Sequence, residues 1–280
     1  MKLSNKLLII LAILCFAIPL SIVIIDNIGG INAQEYYSNI DKESQNYAVK
    51  SKYLNQQSLH EFKTVRIKST NNIGVRLHLI HENTFGIKST LDSNQFKISN
   101  LADELEIEIK DDHVFEPYNI YLYAPDFNNI KISNINLFDL ITSKDSLALE
   151  IENSIYALNI NGNSNLKKLK LNLINANIPN MMNIEHVEHL YLQLQNSDVK
   201  ASAQMFSSLD LQADNSIIEI FEGEGTTNNN EGILKNIKIN TNGKSVLNFP
   251  KTLTNFNIEG NLSDSTSTNL PIVELKNLIK

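Results

Sequence analysis

Paired histidines and carboxylates are the side chains best suited to holding a metal or moving a proton, and few are spaced for either task. His186-Val-Glu-His189 is the most metal-like string. A zinc-binding helix needs its histidines at i and i+4 with the acid between them, so that both rings leave one face. Here the spacing is i, i+3 at the start of an expected strand, which sends the rings to opposite faces. Solvated polar residues are the reading that follows. His78 and His81 also fall on opposite faces, and His60 and His113 stand alone.

The carboxylates give little more. Glu106 and Glu108 alternate with Leu105, Ile107 and Ile109, which is the outer face of a strand. Asp111-Asp112 reads as a turn. Asp214, Glu219, Glu222 and Glu224 gather near a polar insertion and are where a weak Ca²⁺ would be held. Their spacing matches neither an EF-hand nor a glycine-rich calcium repeat. Nucleophile-elbow, phosphate-loop and dinucleotide-binding glycine patterns are absent from the sequence. The lack of Trp weakens a sugar-stacking platform, although nine Tyr leave one open. No catalytic residue, cofactor or metal is expected.

Charge narrows the partners. The 280 residues carry 24 Lys+Arg against 31 Asp+Glu, a net charge of −7, and the only arginines are Arg66 and Arg76. Phosphate binding needs a basic patch, so nucleic acid is not an expected partner. Cys15 is the single cysteine. The rest of the chain must fold without disulfides.

The first residues read as an address. Leu7 to Ile25 is an apolar run broken only by Cys15, Pro19 and Ser21, preceded by Lys2 and Lys6 and followed by Asp26. As a helix it spans about 28 Å, close to the roughly 30 Å of a bilayer core. The positive-inside rule leaves residues 1–6 in the cytoplasm and the bulk outside. Residues 7–25 are therefore expected as a single-pass transmembrane anchor, or an uncleaved signal, of a cell-envelope protein. Ile31-Asn32-Ala33 makes a poor cleavage site, and Leu14 before Cys15 does not suit a lipoprotein signal. Residues 26–60, rich in Asp, Asn, Gln, Lys and Ser, read as a linker.

From residue 61 the pattern alternates. Val65-x-Ile67, Val75-x-Leu77-x-Leu79, Leu105-x-Ile107-x-Ile109 and Ile120-x-Leu122 have the period of half-buried strands. From 127 a longer repeat appears, apolar-x-x-apolar-x-apolar. Its two inner places are expected to form the repeat core. They are Ile130 and Ile132, Leu149 and Ile151, Leu169 and Leu171, then Leu190 and Leu192. Leu209 and Leu211, Ile237 and Ile239, and Phe256 and Ile258 complete the set. The steps are 19, 20, 21, 19, 28 and 19 residues, the long one containing the polar insertion 222–232. A repeat of about twenty residues predicts stacked coils with one strand above the next, at about 4.8 Å per coil. Asn136, Asn175, Asn196 and Asn215 are candidates for an amide ladder at the coil corners. A leucine-rich repeat shares the spacing, but needs helical or looped returns. The return halves here, such as Ser245-Val246-Leu247-Asn248-Phe249, are strand-like.

Phe62-Lys-Thr-Val-Arg-Ile67, Gly74-Val-Arg-Leu-His-Leu79, Leu105-Glu-Ile-Glu-Ile-Lys110 and Ile120-Tyr-Leu-Tyr-Ala-Pro-Asp-Phe-Asn-Asn-Ile-Lys-Ile-Ser133 carry a family likeness. Together they resemble the head GIN domain family of Bacteroidota envelope proteins, also labelled auto-transporter adhesin-like. Family members usually place Gly after the last Ser, where this chain has Asn134. The resemblance implies a right-handed parallel β-helix outside the cytoplasmic membrane, and supplies no catalytic residues.

The expectation is therefore an all-β chain: a right-handed parallel β-helix (β-solenoid) over 61–280, with N-terminal strands in 61–126 and repeated coils in 127–280, behind one N-terminal transmembrane helix. Its function would be non-enzymatic, presenting a surface for adhesion, binding or assembly to an envelope protein or glycan. A carbohydrate-active β-helix enzyme and a leucine-rich-repeat-like receptor are the alternatives.

Overall fold

The computed structural model describes residues 33–110, 117–156, 158–160, 166–182, 187–222, 234–251, 253, 256–276 and 278, with Cys15, Ala17 and Ile18. The chain divides into two compact units, Met1–Gln45 and Asn46–Lys280. In the first, Ala33–Ser44 is a helix whose last residue donates its hydroxyl to the Asp41 carbonyl at 3.1 Å. No helix among the described residues is long and apolar enough to cross a membrane. Apart from Cys15, Ala17 and Ile18, the run 7–25 lies outside those residues.

In the second unit the alternating segments become strands. They begin with β1 (Asn55–Ser58), β2 (Thr64–His81), β3 (Gly86–Ser89), β4 (Phe96–Leu101), β5 (Glu104–Ile109), β6 (Tyr118–Ala124) and β7 (Asn129–Thr142). Then come β8 (Ser146–Glu152), β9 (Leu158–Asn159), β10 (Lys168–Ile174), β11 (Asn177–Met182), β12 (Val187–Gln195) and β13 (Asp198–Ser202). The last are β14 (Phe206–Asp214), β15 (Ile217–Phe221), β16 (Asn236–Asn242), β17 (Val246–Asn248), β18 (Asn257–Asn261) and β19 (Ser267–Thr268). In most strands period two buries one face: β5 hides Leu105, Ile107 and Ile109 and turns its three glutamates outward.

Among the described residues thirteen strands make one sheet, ordered β1-β3-β6-β2-β7-β8-β10-β12-β14-β16-β18, with β5 on β2 and β4 on β5. Six more make a second sheet, β19-β17-β15-β13-β11-β9. From β8 onward successive strands alternate between the two sheets, all in parallel pairs. The buried side chains of both sheets form one contiguous core, from Phe62 to Leu278.

This corrects the expected fold. The larger sheet is of mixed direction, because β1–β3, β3–β6 and β4–β5 run antiparallel. The right-handed parallel β-helix over 61–280 is replaced by a mixed 13-stranded sheet and a separate parallel one, and the described residues hold no transmembrane helix. The reason is that alternation specifies which face of a strand is buried and leaves its direction open. The β4–β5 hairpin, for instance, turns through Ala102-Asp103, with Ala102 at φ 54° and none of the Asn-Gly or Asp-Gly signals of such turns.

Register also departs from the repeat at two steps. Leu169, Leu190, Leu209 and Ile237 pair in sequence across β10, β12, β14 and β16, and Leu171, Leu192, Leu211 and Ile239 pair in the same order beside them. Between β7 and β8 Ile130 meets Leu149 and Ile132 meets Ile151. At the next strand the order slips. Leu149 pairs with Leu171 rather than Leu169, and Ile151 with Leu173 rather than Leu171. At the far end Ile237 pairs with Ile258 rather than Phe256, and Ile239 with Gly260 rather than Ile258.

Ile132, Ile151, Leu211 and Ile239 are all buried, but they do not share one column as the repeat requires. Ile132 and Ile151 lead into Leu173, Leu194 and Ala213, whereas Leu211 and Ile239 follow Leu171 and Leu192. On its other side Ile132 pairs with Ile67 of β2, so its column extends back before residue 127. A two-residue slip leaves the same face buried, so the apolar pattern does not detect it.

The corners between the sheets have their own chemistry. Asn153, Asn175, Asn196 and Asn215 at these corners, and Asn134 within β7, all have positive φ, between 48° and 56°, and Gly243 follows at 62°. Asn is the non-glycine residue that best tolerates this conformation. Asn134 thus adopts the backbone shape that glycine would supply. Asn196 Nδ2 reaches Asn175 Oδ1 at 3.4 Å, whereas Asn215 donates to Asp214 and accepts from Lys244 N. Asn136 lies off this column, in β7, where its Oδ1 accepts from Ile155 N at 3.2 Å and from Ser154 Oγ.

Just inside the corner runs a buried serine line. Ser197 Oγ accepts from Ala176 N at 3.0 Å, Ser216 Oγ from Ser197 N at 3.0 Å, and Ser245 Oγ from Ser216 N at 3.4 Å. Ser197 and Ser216 donate in turn to the carbonyls of Gln195 and Asp214, both at 2.8 Å. Backbone N–H groups at the bend are thereby satisfied without water.

Candidate binding face

The outward face of the 13-stranded sheet divides into two halves that treat charge differently. On β5, β2, β7 and β8 the charges, Glu108 apart, are mostly drawn into pairs. Arg66 pairs with Glu104 at 2.8 Å, Lys68 with Glu106 at 3.0 Å and Lys131 with Glu150 at 4.0 Å. Glu150 also accepts from Asn172 at 3.1 Å, and Glu152 from Ser133 at 3.2 Å. The hydrogen bond from Arg66 to Glu104 holds the guanidinium in its charged form, above its ordinary pKa.

On β10 to β18 this stops. Parallel register places Lys170, Tyr191, Asp210, Lys238 and Glu259 in one row across five strands. Neighbours in such a row are about 4.8 Å apart along the backbone. Among the described residues, Asp210, Lys238 and Glu259 form no ion pair or side-chain hydrogen bond. Tyr191 is 44% exposed. One flanking row is all amide: Asn172, Gln193, Gln212, Asn240 and Asn261. The other is Lys168, His189, Ser208, Asn236 and Asn257, in which Asn257 Nδ2 donates to Asn236 Oδ1 at 3.2 Å. An open depression of about 400 Å³ lies over β12–β18, with His189, Tyr191, Asp210, Lys238, Asn257 and Glu259 in its lining.

The local cause is simple. In each strand the inward places hold Leu or Ile, so whatever stands between them faces out. Stacking in register then converts single exposed residues into rows. Donors, acceptors and one aromatic ring are presented together on a rigid support, which suits recognition of a polar partner.

A second cluster sits on β2, β6 and β3, where the outward face is covered. Residues 46–54 cross it, and Tyr47 packs its ring on Tyr123 with centroids 5.4 Å apart. Lys88 is fully buried, donates to the carbonyls of Asn46 and Val49 at 2.7 Å each, and stands 5.6 Å over the Tyr123 ring. The His78 ring lies tilted against Tyr121 with centroids 4.2 Å apart, and burial followed by the nearby Arg76 charge lowers its pKa to about 4. Burial likewise raises the Tyr123 phenol. Arg76 itself pairs with Asp139 at 3.0 Å. The β2–β7 register skips one residue beside Val75, leaving Phe138 as a bulge whose ring stacks on Tyr156 at 4.2 Å. Lys88, Tyr121 and Tyr123 are buried here and hold structure together, whereas Tyr156 at the bulge is exposed.

The residues singled out in the sequence are scattered. His189 is on the exposed face, and His186 and His113 lie outside the described residues. Glu106 is committed to Lys68. Glu219 pairs with Lys200 at 2.7 Å, Asp214 Oδ1 accepts from Asn215, and Glu224 lies outside the described residues with most of the insertion 222–232. Among the described residues no three His, Cys, Asp or Glu side chains gather in a metal-binding group. The row through Tyr191, Asp210, Lys238 and Glu259 escaped the sequence reading. Its only signal is a polar or aromatic residue at each outward place of aligned repeats.

No protein-family model matches the chain, so membership of the head GIN domain family is not shown, and no curated protein matches it. Solved structures to which it is similar include a "putative adhesin" from Parabacteroides merdae, 14% identical over 77% of this chain and 90% of that one, at a TM-score of 0.38. Another "putative adhesin", from Bacteroides fragilis, is 12% identical over 78% and 93%, at 0.32. A "putative lipid binding protein" from Parabacteroides distasonis is 8% identical over 78% and 96%, at 0.35.

Proposed function

We propose that the chain is a non-catalytic binding protein of the cell envelope, which presents the outward face of β10–β18 to a partner outside the cytoplasm. The observation that carries this is the contrast within one sheet face: charges other than Glu108 are mostly paired on β5, β2, β7 and β8, and Asp210, Lys238 and Glu259 are left unpaired around an exposed tyrosine on β12–β18. Unpaired side chains on a rigid sheet are available to a ligand at no cost in broken contacts. A nucleophile or general base needs a partner that orients and activates it. Asp210, Lys238 and Glu259 have none among the described residues. Export rests on the apolar run Leu7–Ile25 behind Lys2 and Lys6.

The test is capture by immobilised full-length protein from an envelope extract separated into polysaccharide and protein fractions. Gln193→Glu together with Gln212→Glu should abolish capture. Asn177→Glu, on the second sheet, should leave it intact. Equal capture by both variants, or release of new reducing ends from the polysaccharide, would contradict the reading.

A further inference from the structure

We infer that the depression on β12–β18 takes a segment of a neutral polysaccharide, with one sugar ring stacked on Tyr191 and its hydroxyls bonded to Asp210 and Lys238. This rests on the reading of that face as the binding surface, and adds the ligand's chemical class.

Charge balance comes first. Asp210, Lys238 and Glu259 in the lining alternate in sign, and with Lys170 beside the depression on the other side of Tyr191 the row sums to zero. A polyanion laid across them would meet Asp210 and Glu259, and a polycation would meet Lys170 and Lys238. A polyol meets neither penalty, because each hydroxyl both donates and accepts. Asp210 supplies two acceptor oxygens and Lys238 three donors, one strand apart. In the free protein these groups hydrogen-bond to water, and hydroxyls can replace that water group for group.

The aromatic and the amides fix the ligand's path. Tyr191 is the exposed aromatic here, and a tyrosine ring face carries negative quadrupole charge that attracts the C–H bonds on the apolar side of a pyranose. His189, Ser208, Asn236 and Asn257 line the depression on one side of Tyr191, and the amide row Asn172, Gln193, Gln212, Asn240 and Asn261 runs across the strands on the other side, just beyond the lining. A chain lying across the strands meets a fresh donor–acceptor pair about every 4.8 Å. A protein partner fits this face less well, since protein interfaces centre on clustered aromatics and arginine. Across these three rows Tyr191 is the one aromatic apart from His189, and no arginine occurs.

Calorimetric titration of the full-length protein in detergent with cello-, manno- and chito-oligosaccharides, and with oligogalacturonates of matched length, tests the assignment. At least one neutral series should bind, with little salt dependence, and the galacturonates should bind more weakly. Tyr191→Ala should weaken binding about tenfold, while Tyr191→Phe, which keeps the ring, should stay near wild type. Circular dichroism of each variant separates lost binding from lost fold. The inference is overturned by tighter, salt-sensitive binding of galacturonates, by wild-type affinity in Tyr191→Ala, or by no binding of any neutral series. If no sugar binds but the Gln193/Gln212 variant loses a protein partner, the ligand class is wrong and the binding face stands. If neither occurs, both are wrong.

Discussion

Tyr47 lies against Gly86 so closely that a Cβ on residue 86 would stand 2.2 Å from Tyr47 Cε2. The missing side chain is what lets the ring reach Tyr123 and lets residues 46–54 cover the end of the sheet. Gly86→Ala should therefore displace Tyr47 and destabilise the second unit by about 1–3 kcal/mol, the usual cost of overpacking. Denaturant unfolding followed by tyrosine fluorescence measures this directly. A wild-type midpoint would show that the contact is not needed.

Lys88 fastens the same segment. Its ammonium donates to two backbone carbonyls, of Asn46 and Val49. Lys88→Met keeps most of the side-chain volume and leaves both carbonyls without this donor, at a cost of about 1–3 kcal/mol. The loss should be local. Hydrogen exchange should accelerate in residues 47–58 and stay unchanged in β12–β16.

The serine line makes a sharper prediction, because one hydroxyl serves two backbone groups. Ser197→Ala leaves the Ala176 N–H and the Gln195 carbonyl without that partner. It should cost about 1–3 kcal/mol. Ser146→Ala, at an exposed strand end, should lie within about 0.5 kcal/mol of wild type. Similar midpoints for the two variants would remove the line's structural role.

The buried His78 gives the protein a pH dependence with a definite sign. Its folded pKa of about 4 lies below the ordinary value of 6.5, so the unfolded chain takes up its proton first. Stability should therefore fall as the pH drops from about 6.5 to about 4, by up to roughly 3 kcal/mol, and this contribution should be flat outside that window. His78→Phe, which keeps an aromatic on Tyr121, should flatten this part of the profile in denaturant titrations. An unchanged slope would assign the effect to other groups.

What the sequence disclosed follows from what alternation encodes. It marks burial, so Leu105, Ile107, Leu190 and Leu192 could be read as inward-facing. It carries no strand direction, so the antiparallel β3 and β4 are not distinguished from the parallel strands, and β1, Asn55–Ser58, has no apolar alternation and falls within the expected linker. Nor does it count register finely, as the pairing of Leu149 with Leu171 and of Ile151 with Leu173 shows. The corner left a readable trace in Asn196-Ser197 and Asn215-Ser216, where one residue takes the left-handed backbone and the hydroxyl of the next satisfies a backbone N–H of the preceding bend. The binding face left almost none. Asp210, Lys238 and Glu259 are ordinary solvated residues in the linear sequence, and become a site only when neighbouring strands bring them into one row beside Tyr191.

Carboxyl footprinting tests the binding face most directly. Full-length protein is labelled with a carbodiimide and an amine, alone and in complex with the envelope fraction it captures, and the modified residues are read by mass spectrometry. Asp210 and Glu259 should be labelled in the free protein and protected in the complex, while Glu219 on the second sheet stays unchanged. Equal labelling of Asp210 and Glu259 in both states, or protection at Glu219 instead, would contradict the account.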